Sequence, residues 1–373
     1  MAGYAFQVLH REGHSRARVG ELRTAHGPVA TPAFMPVGSQ ATVKGLSSEE
    51  IAGLGFELLL CNAYHLYLRP GHRVIEEQGG LHRFMGWSGS ILTDSGGYQV
   101  FSLAPLCKVS DDGVTFQSHL DGSVHHLTPE LVVDIQEALG PDIAMTLDEC
   151  LRYPATADAA EAAVVRTTQW ARRCRDARRR SDQLLFGIVQ GAHYPDLRAK
   201  AAAALVEIGF DGYALGGLSV GENKPSMHAA MDAAVAELPE SAPRYLMGVG
   251  TPEDLIEGVA RGIDLFDCVM PTRHGRTGWL FTSFGRVLIK NAQYARDESP
   301  VDPACTCMVC RSYSRAYLRH LFLAKEMLGV RLNTMHNLHY FQTVMAGVRD
   351  AVRKGQLAEF REQFQAKREA CEA

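Results

Sequence analysis

The sequence predicts an α/β fold, a (β/α)8 TIM barrel, because short apolar runs alternate with helical stretches along most of the chain. Eight runs end in glycine or polar residues: Ala33–Val37, Leu58–Cys61, Ile91–Thr93, Ile143–Leu147, Leu184–Val189, Tyr213–Leu215, Tyr245–Gly248 and Ile263–Phe266. Helical patterns between them include Pro129–Leu139, Asp158–Arg180, Pro195–Ile208 and Pro252–Arg261. With 373 residues, 46% of them hydrophobic, the chain can form one barrel-based domain over residues 1–373.

One segment precedes the alternation and two interrupt it. Phe6–Thr31 is punctuated by glycine and proline, which predicts a small N-terminal antiparallel cap. Phe101–His126 is too long for an ordinary βα loop and predicts a hairpin inserted over the barrel mouth. Residues 293–340 form a second insertion, which contains a cysteine cluster and precedes a helical tail. We therefore expect a zinc-binding subdomain near the C-terminus.

Composition limits the location and the partners. The net charge of −4 does not indicate nucleic-acid binding by the whole surface, so any basic surface must be local. Met1–Phe6 lacks the pattern of a signal peptide, and no run reaches roughly 18 apolar residues. The nine cysteines do not form a secretory framework. We expect a soluble cytoplasmic protein with no membrane partner.

The cysteine cluster predicts one structural Zn²⁺ per chain. Cys305, Cys307 and Cys310 are followed by His336 and, three residues later, by His339. Three thiolates and one imidazole form a closed tetrahedral zinc site with no position left for water. Such a site would stabilise an insertion that has little core of its own. Spacing alone leaves both histidines open as the fourth ligand.

The ends of the predicted strands carry polar groups that a barrel would bring together at one face. In chain order they are Ser39-Gln40, Asn62, Asp94-Ser95-Gly96-Gly97-Tyr98, Asp148-Glu149, Gln190-Gly191, Gly216-Gly217, Gly248-Val249-Gly250 and Asp267. Each residue alone fits ordinary turn or helix-cap chemistry. Their joint placement predicts an active site.

Two of these carboxylates suit chemistry at a sugar carbon. Asp267 ends an apolar run, Pro271 then predicts a stop, and a cationic loop, Thr272–Arg276, follows, which fits a substrate that bears phosphate. Asp94 would face Asp267 across the mouth, so that one carboxylate attacks and the other manages protons. Asp148 and Gln190 offer an acceptor and an amide for the edge of a purine.

Taken together, these motifs resemble those of the tRNA-guanine transglycosylases, the enzymes of queuosine modification, and the resemblance runs from about Phe6 to Phe364. The matching motifs are Thr93–Val100, Asp148–Cys150, Gly187–Gly191, Gly216–Leu218, Tyr245–Gly250, the Asp267 stretch and the zinc quartet, in which the resemblance favours His336. Two departures are visible, Ala63 where a threonine is usual and His274 where a smaller polar residue is common.

The resemblance implies a role for each matching residue. Asp267 would be the nucleophile that bonds ribose C1′, and Asp94 the general acid/base. The base would be bound by Asp94, Ser95, Gly96, Gly97, Tyr98, Asp148, Gln190, Gly217, Leu218 and Met247, with Tyr98 and Met247 stacking on the ring. RNA would be held by Gly248, Val249, Gly250, Thr251, Pro252, Glu253, Asp254, Thr272, Arg273, His274, Gly275 and Arg276.

The activity implied is exchange of the wobble guanine-34 of tRNAs with a G-U-N anticodon (the Asp, Asn, His and Tyr isoacceptors) for preQ1, by double displacement. The bacterial members resemble this chain most closely, and Cys150 and Val220 match the pocket that suits preQ1 rather than queuine. The resemblance also implies a homodimer.

Three further interpretations of the sequence remain open. A retaining glycoside hydrolase would also use two carboxylates on a barrel, with water as the second nucleophile. A catalytically silent RNA-binding barrel would keep the zinc module without the chemistry. The basic helix Arg166–Arg180 carries its charges all round, which favours a solvated surface helix over an RNA-binding stripe.

Overall fold

The computed structural model of the protein describes residues 6–103 and 106–369. In chain order its strands are β1 (Phe6–Arg11), β2 (Arg18–Thr24), β3 (Gly27–Thr31), β4 (Ala33–Met35), β5 (Val37–Gly38), β6 (Leu58–Cys61), β7 (Ser90–Thr93), β8 (Cys107–Val109), β9 (Val114–Gln117), β10 (Val124–Leu127), β11 (Ile143–Met145), β12 (Leu184–Val189), β13 (Gly212–Leu215), β14 (Arg244–Leu246), β15 (Leu265–Asp267), β16 (Trp279–Thr282) and β17 (Gly285–Leu288).

The helices are α1 (Ser48–Gly53), α2 (Ala63–Leu68), α3 (His72–Glu77), α4 (Gly80–Met85), α5 (Gly97–Leu103), α6 (Pro129–Leu139), α7 (Ala157–Ala177), α8 (Pro195–Ile208), α9 (Lys224–Glu237), α10 (Pro252–Ala260), α11 (Met270–Thr277), α12 (Met308–Ser312), α13 (Arg315–Leu323), α14 (Met327–Lys354) and α15 (Leu357–Glu369), with a short 3-10 helix at Ala292–Arg296. Among the described residues, no helix is long and apolar enough to cross a membrane.

The predicted barrel is confirmed as a parallel sheet that closes on itself. Its order is β4-β15-β14-β13-β12-β11-β7-β6-β5. The first barrel strand is divided at Pro36, so that β4 pairs with β15 while β5 pairs with β6. All eight predicted apolar runs contribute a strand, and α6 and α8 begin and end where the sequence predicts. The basic helix ends at Ala177, because Arg178 leaves the helical conformation.

The predicted N-terminal cap is an antiparallel sheet of β1, β2 and β3. Leu22 and Val29 of this sheet belong to the same buried cluster as inward-facing barrel residues such as Leu58 and Phe186. Asp264, at the start of β15, accepts two hydrogen bonds from Arg18 of the cap, at 2.9 and 2.6 Å. The cap therefore closes the N-terminal end of the barrel and leaves the opposite end for a site. Met1–Ala5, which belong to the segment where the sequence shows no signal-peptide pattern, lie outside the described residues.

The predicted inserted hairpin is confirmed as β9 and β10, and a third antiparallel strand, β8, was not predicted. The structure has three antiparallel strands, β8, β9 and β10, after helix α5, and residues 104–105 of the predicted segment lie outside the described residues. The sheet rests against α2 and α7, where Tyr64 pairs with His119 at 2.9 Å and Trp170 donates to the carbonyl of Asp111 at 2.8 Å. The prediction missed β8 because its three residues carry no alternation long enough to recognise.

The cysteine-bearing segment packs around its own core, which includes Leu280, Val287, Val309, Leu318 and Leu332. Its last element, α14, is a continuous helix of 28 residues that also packs on the barrel, where Phe341 meets Phe34 with ring centroids 4.9 Å apart. The expected limit of the zinc subdomain at 340 therefore falls inside one helix.

Candidate active site

Asp94 directly follows β7 and is held by the start of α2. The Asn62 side-chain amide donates to Oδ2 at 2.6 Å, and the Ala63 backbone N–H donates to Oδ1 at 2.8 Å. Burial and, to a smaller extent, the charge of Asp267 raise the pKa of Asp94 to about 6, against the effect of these hydrogen bonds. Because Ala63 acts through its backbone, the threonine-to-alanine departure leaves this contact intact.

Asp267 is the last residue of β15 and is held on one carboxylate oxygen only. Its Oδ1 accepts hydrogen bonds of 2.6 Å from the Tyr245 hydroxyl and from the Gly248 backbone N–H. Among the described residues, no group donates a hydrogen bond to Oδ2. Burial raises the pKa of Asp267, and the two donors oppose the rise. One oxygen is thus fixed while the other is left for a ligand.

The two carboxylates lie close enough to act on each other. The charge of Asp267 contributes to the raised pKa of Asp94, and both charges help to raise the pKa of the Tyr245 hydroxyl on β14. Paired carboxylates with different hydrogen-bonding environments are typical of acid/base and nucleophile pairs. The structure brings together the two residues that the sequence predicts as catalytic.

A third carboxylate, that of Asp148, lies at the same end of the barrel. Asp148 accepts from Ser95 Oγ at 3.0 Å and from Gln190 Nε2 at 2.7 Å. Burial raises the pKa of Asp148, against both hydrogen bonds. A Cβ on Gly97 would lie 2.9 Å from Asp148 Oδ1, and one on Gly217, which has φ +65°, would lie 2.5 Å from Gln190 Oε1. Only glycine allows the backbone to approach this pair so closely.

The remaining predicted base-binding residues differ in exposure. Tyr98 is 55% exposed on α5, whereas Leu218 is buried and Met247 is half-buried against the barrel interior. Gly96 adopts φ +80°, and a Cβ there would lie 3.1 Å from Tyr64 Cβ. An exposed tyrosine and a half-buried methionine each offer an apolar surface of the kind that a planar base requires. Their stacking role stays a prediction.

The segment Gly248–Asp254 is largely inward-facing. Thr251 caps α10 in a capping box with Asp254, and Lys224 forms an ion pair with Asp254. Val249, Gly250, Pro252 and Asp254 are buried, while Gly248 is exposed. Of this predicted RNA-binding stretch, the structure therefore offers a ligand chiefly Gly248, Thr251 and Glu253.

The predicted cationic loop Thr272–Arg276 is wrong as a loop, because these residues lie in helix α11. The sequence suggested a stop at Pro271, but proline is favoured in the first turn of a helix. Arg273 is exposed, whereas Thr272 and Gly275 are buried and a Cβ on Gly275 would lie 2.8 Å from Thr334. His274, the residue that differs from the family pattern, stacks on Trp279 with ring centroids 4.2 Å apart. Its ring is therefore engaged in packing within the protein.

Five arginines of the basic helix α7 and of the residues after it form ion pairs with acids, whereas Arg172 and Arg175 are exposed and have no such pair among the described residues. Arg166 pairs with Glu149 and Asp111, Arg173 with Glu130 and Asp112, and Arg179 with Asp134 and Glu137. Arg178 and Arg180 likewise pair with Asp211 and Asp182. These ion pairs favour the surface-helix interpretation, since they compensate most of the charges that would attract phosphate.

Cys305, Cys307, Cys310 and His336 lie together and could hold a metal ion. His336 Nδ1 is 3.8, 3.6 and 3.3 Å from the three sulfurs in chain order. Ligands of a tetrahedral zinc ion lie about 3.5 Å apart for the usual Zn–S and Zn–N bond lengths. The other ring nitrogen, Nε2, pairs with the Phe281 carbonyl at 2.8 Å, which fixes the ring. His339 Nδ1 approaches only Cys305, at 3.5 Å.

Sequence reasoning missed two residues that shape this site. Tyr245 was one letter of a motif, and no role was assigned to its hydroxyl. Arg198 was absent from every motif, yet its side chain is fully buried beneath the strand ends. A signal for it existed, because Arg198, Ala201, Ala202, Leu205 and Ile208 share the helical spacing of a buried face.

Known proteins match this chain over nearly its whole length. A family model described as "Queuine tRNA-ribosyltransferase" matches residues 13–370. The chain is 56% identical over 360 residues to the queuine tRNA-ribosyltransferase of Pelotomaculum thermopropionicum, a match that covers 96% of this chain and 97% of that protein. It is 54% identical over 364 residues to the queuine tRNA-ribosyltransferase of Moorella thermoacetica, with 98% of each chain covered.

Proposed function

Because this chain belongs to the queuine tRNA-ribosyltransferase family of tRNA-guanine transglycosylases, we propose that it replaces the wobble guanine-34 of tRNAs with a G-U-N anticodon by preQ1. The observation that carries the proposal is the Asp267 carboxylate, fixed on Oδ1 by two donors and without a donor on Oδ2 among the described residues. Such a group is oriented for attack on a carbon and is close to a second carboxylate of raised pKa.

The first displacement would join the protein to the RNA. Asp267 Oδ2 attacks ribose C1′, the bond from C1′ to guanine N9 breaks, and its electron pair leaves with the base. Asp94 in its acid form gives a proton to the departing guanine. A pKa of about 6 leaves a usable acid fraction near neutral pH, which is the condition for general acid catalysis.

The second displacement would release the modified tRNA. PreQ1 occupies the position of guanine, and the Asp94 carboxylate accepts the proton that N9 of the incoming base loses. N9 then attacks C1′, the ester bond to Asp267 breaks, and the carboxylate is restored. The sugar–phosphate backbone stays intact throughout, because both bonds that change are at C1′.

Recognition of the base would come from the floor of the pocket. Asp148 can accept hydrogen bonds from the N–H groups of a guanine-like edge. The Gln190 amide donates to Oδ2 of the same carboxylate and fixes its orientation. Cys150 is buried two residues after Asp148, and Val220 lies in the loop after β13. Both residues match the bacterial members of the family, which supports preQ1 rather than the bulkier queuine as the incoming base.

The RNA would be bound by local charge rather than by overall charge. Arg273 is exposed on α11, the helix that directly follows the Asp267 strand, and Lys290 and Arg311 are exposed further along the chain. Phosphates of the anticodon arm would set the register, while the barrel binds one flipped-out base. A tRNA substrate places the proposed activity in the cytoplasm.

Zinc is proposed as the metal because three thiolates and one imidazole suit Zn²⁺ in a closed structural site.

A homodimer is also part of the proposal, and an exposed apolar surface supports it. Tyr317, Leu323, Met327 and Leu328, from α13 and the start of α14, are between 39% and 80% exposed. Neighbouring exposed apolar side chains of this kind are typical of protein interfaces.

The experiment is incubation of the protein with unmodified G-U-N tRNA and radiolabelled guanine. We expect label to enter the tRNA, to be competed by preQ1 but not by queuine, and to be lost in Asp267→Asn. A denaturation-resistant protein–RNA adduct should form in wild type and be absent from Asp267→Asn.

Asp264→Asn is the matched control, since Asp264 is buried in the same segment but at the closed end of the barrel. We expect it to lower the melting temperature and to retain the adduct. Tight tRNA binding with no incorporation would contradict the proposal in favour of a silent RNA-binding barrel. Hydrolysis of glycosides without RNA binding would favour a hydrolase.

A further inference from the structure

Arg198 is an arginine buried beneath the pocket, and no acid pairs with it among the described residues. Its side chain is 0% exposed, and its guanidinium donates only to backbone carbonyls. The acceptors are Val189 at 2.9 Å, Ala192 at 2.8 Å, Gly216 at 2.7 Å and Gly217 at 3.2 Å. Burial lowers the pKa of Arg198 to about 10, so the group stays charged at neutral pH. Burying a cation without an opposite charge is costly, so the position of Arg198 calls for a structural or functional reason.

The four carbonyls belong to the two segments that form one wall of the pocket. Val189 and Ala192 flank Gln190, and Gly216 and Gly217 follow β13 directly. Cβ atoms on these two glycines would lie 2.8 and 2.5 Å from the Gln190 amide. The backbone at 216–217 is therefore enclosed between Arg198 on one side and the Gln190–Asp148 pair on the other.

Peptide geometry then fixes two N–H groups. In a trans peptide the carbonyl and the following N–H point in opposite directions. Since the Gly216 and Gly217 carbonyls point to Arg198, the N–H groups of Gly217 and Leu218 point away from it, toward the pocket. Neither N–H donates to an acceptor within the part of the chain that the structure describes. A pair of unpaired donors in a partly buried wall is a ready site for one acceptor oxygen.

We infer that Arg198 is a positioning residue that sets the Gly217 and Leu218 N–H groups as a donor pair for the six-oxo group of the base. The pair accepts guanine and related six-oxo purines, and it opposes a six-amino group, which would face two donors with a donor of its own. This inference rests on the proposed function for the identity of the substrate. Arg198 itself does not touch the base and acts through the backbone that it holds.

The test compares guanine with 2,6-diaminopurine, which differs from guanine at position six, by calorimetric binding to the full-length protein. Wild type should favour guanine. Arg198→Lys keeps the charge but lacks the fork of donors, and Arg198→Met keeps neither. We expect both variants to weaken guanine binding by about 10-fold or more, with little loss for 2,6-diaminopurine, so that the preference falls.

Arg244→Met is the matched control. Arg244 is also buried and also donates to backbone carbonyls, of Leu238 at 2.9 Å and Gly262 at 3.5 Å, but these lie outside the pocket. We expect a lower melting temperature and an unchanged ratio of the two affinities. If Arg198→Met does not fold, Arg198→Lys decides the question, since it retains the buried cation.

An unchanged ratio in folded Arg198→Lys overturns the inference, as does an equal loss of both ligands or a wild type without preference. Base exchange is measured separately on the same preparations. A wild type that prefers guanine but does not exchange it would contradict the proposed function and leave the role of Arg198 standing.

Discussion

The Tyr245 hydroxyl donates a 2.6 Å hydrogen bond to Oδ1 of Asp267 from the neighbouring strand. Both side chains are buried, and Tyr245 belongs to the apolar cluster inside the barrel. A tyrosine in such a cluster needs a partner for its hydroxyl, and here the partner is the proposed nucleophile. The contact orients the carboxylate and lowers the pKa that burial raises. Catalytic geometry is thus built into the packing of β14 against β15.

Tyr245→Phe should slow formation of the covalent RNA adduct by about 10- to 100-fold, the usual effect of losing a hydrogen bond to a charged group. Because this donor lowers the pKa of Asp267, its loss raises that pKa, and the acid limb of adduct formation should move to higher pH. Single-turnover quenching across pH measures both effects. Tyr213→Phe is the control, as Tyr213 is buried and its hydroxyl bonds the Phe210 N–H. Equal rates in Tyr245→Phe and wild type would contradict this role.

Asn62→Ala should alter the pH dependence of base exchange through Asp94. The Asn62 amide lowers the pKa of Asp94 from the still higher value that burial would give, so its removal moves that pKa above about 6. Fewer Asp94 carboxylates then remain at a given pH to accept the N9 proton in the second displacement, and the acid limb of kcat/KM for preQ1 shifts upward. Asn223→Ala, which removes the cap of α9, should lower stability and leave the limb in place. A limb that does not move in Asn62→Ala would argue against Asp94 as the titrating group.

The sequence was sufficient for the barrel, since strand periodicity and strand-end chemistry are local properties. It also predicted that Asp94, Asp148, Gln190 and Asp267 lie at one end of the barrel, because each ends an apolar run, while their roles stay predictions. Contacts between distant segments were not accessible, since Arg198 meets Gly216 only after the strands are arranged side by side. The helix at Thr272–Arg276 was missed because a proline that ends a strand cannot be told from a proline in the first turn of a helix by sequence alone.

Metal removal should destabilise the C-terminal part of the chain. Cys310→Ala deletes one ligand of the four-residue cluster, and we expect a lower melting temperature that no longer responds to a chelator. Wild type should lose stability with the chelator as zinc appears in the filtrate by mass spectrometry. Cys107→Ala is the control, because Cys107 is exposed in the inserted sheet. Unchanged melting of wild type after verified metal removal would rule out a structural role.

A charge on the exposed apolar surface should favour the monomer. Met327 is 80% exposed at the start of α14, so Met327→Lys has little effect on the fold of one subunit. Burying an unpaired ammonium in a dimer interface is costly, and sedimentation should show at least a ~10-fold weaker dimer. Leu9→Lys on the cap sheet, where Leu9 is 58% exposed, should sediment as wild type does. The surface is not the interface if both variants keep the wild-type dimer.

A second polar cluster lies at the closed end of the barrel. Asp142 accepts from His26 Nδ1 at 2.8 Å, from the Ile91 N–H at 2.9 Å and pairs with His82 Nε2 at 3.1 Å. The two imidazole rings stack with centroids 3.5 Å apart. His26 belongs to the turn between β2 and β3, so the buried carboxylate connects the cap to the barrel.

Asp142→Asn should therefore destabilise the fold in a pH-dependent way. Burial alone would raise the pKa of Asp142, but the hydrogen bonds from His82, His26 and Ile91 outweigh burial and hold the pKa below the ordinary value of an aspartate. A lowered folded pKa gives stability that is present above the unfolded value and is lost as pH falls through the folded one. We expect a loss of about 2–3 kcal/mol near neutral pH, which shrinks below about pH 4. Urea unfolding measures it, with exposed Asp350→Asn changing stability by less than about 0.5 kcal/mol. A penalty that stays constant down to pH 3 would show that the carboxylate charge contributes nothing.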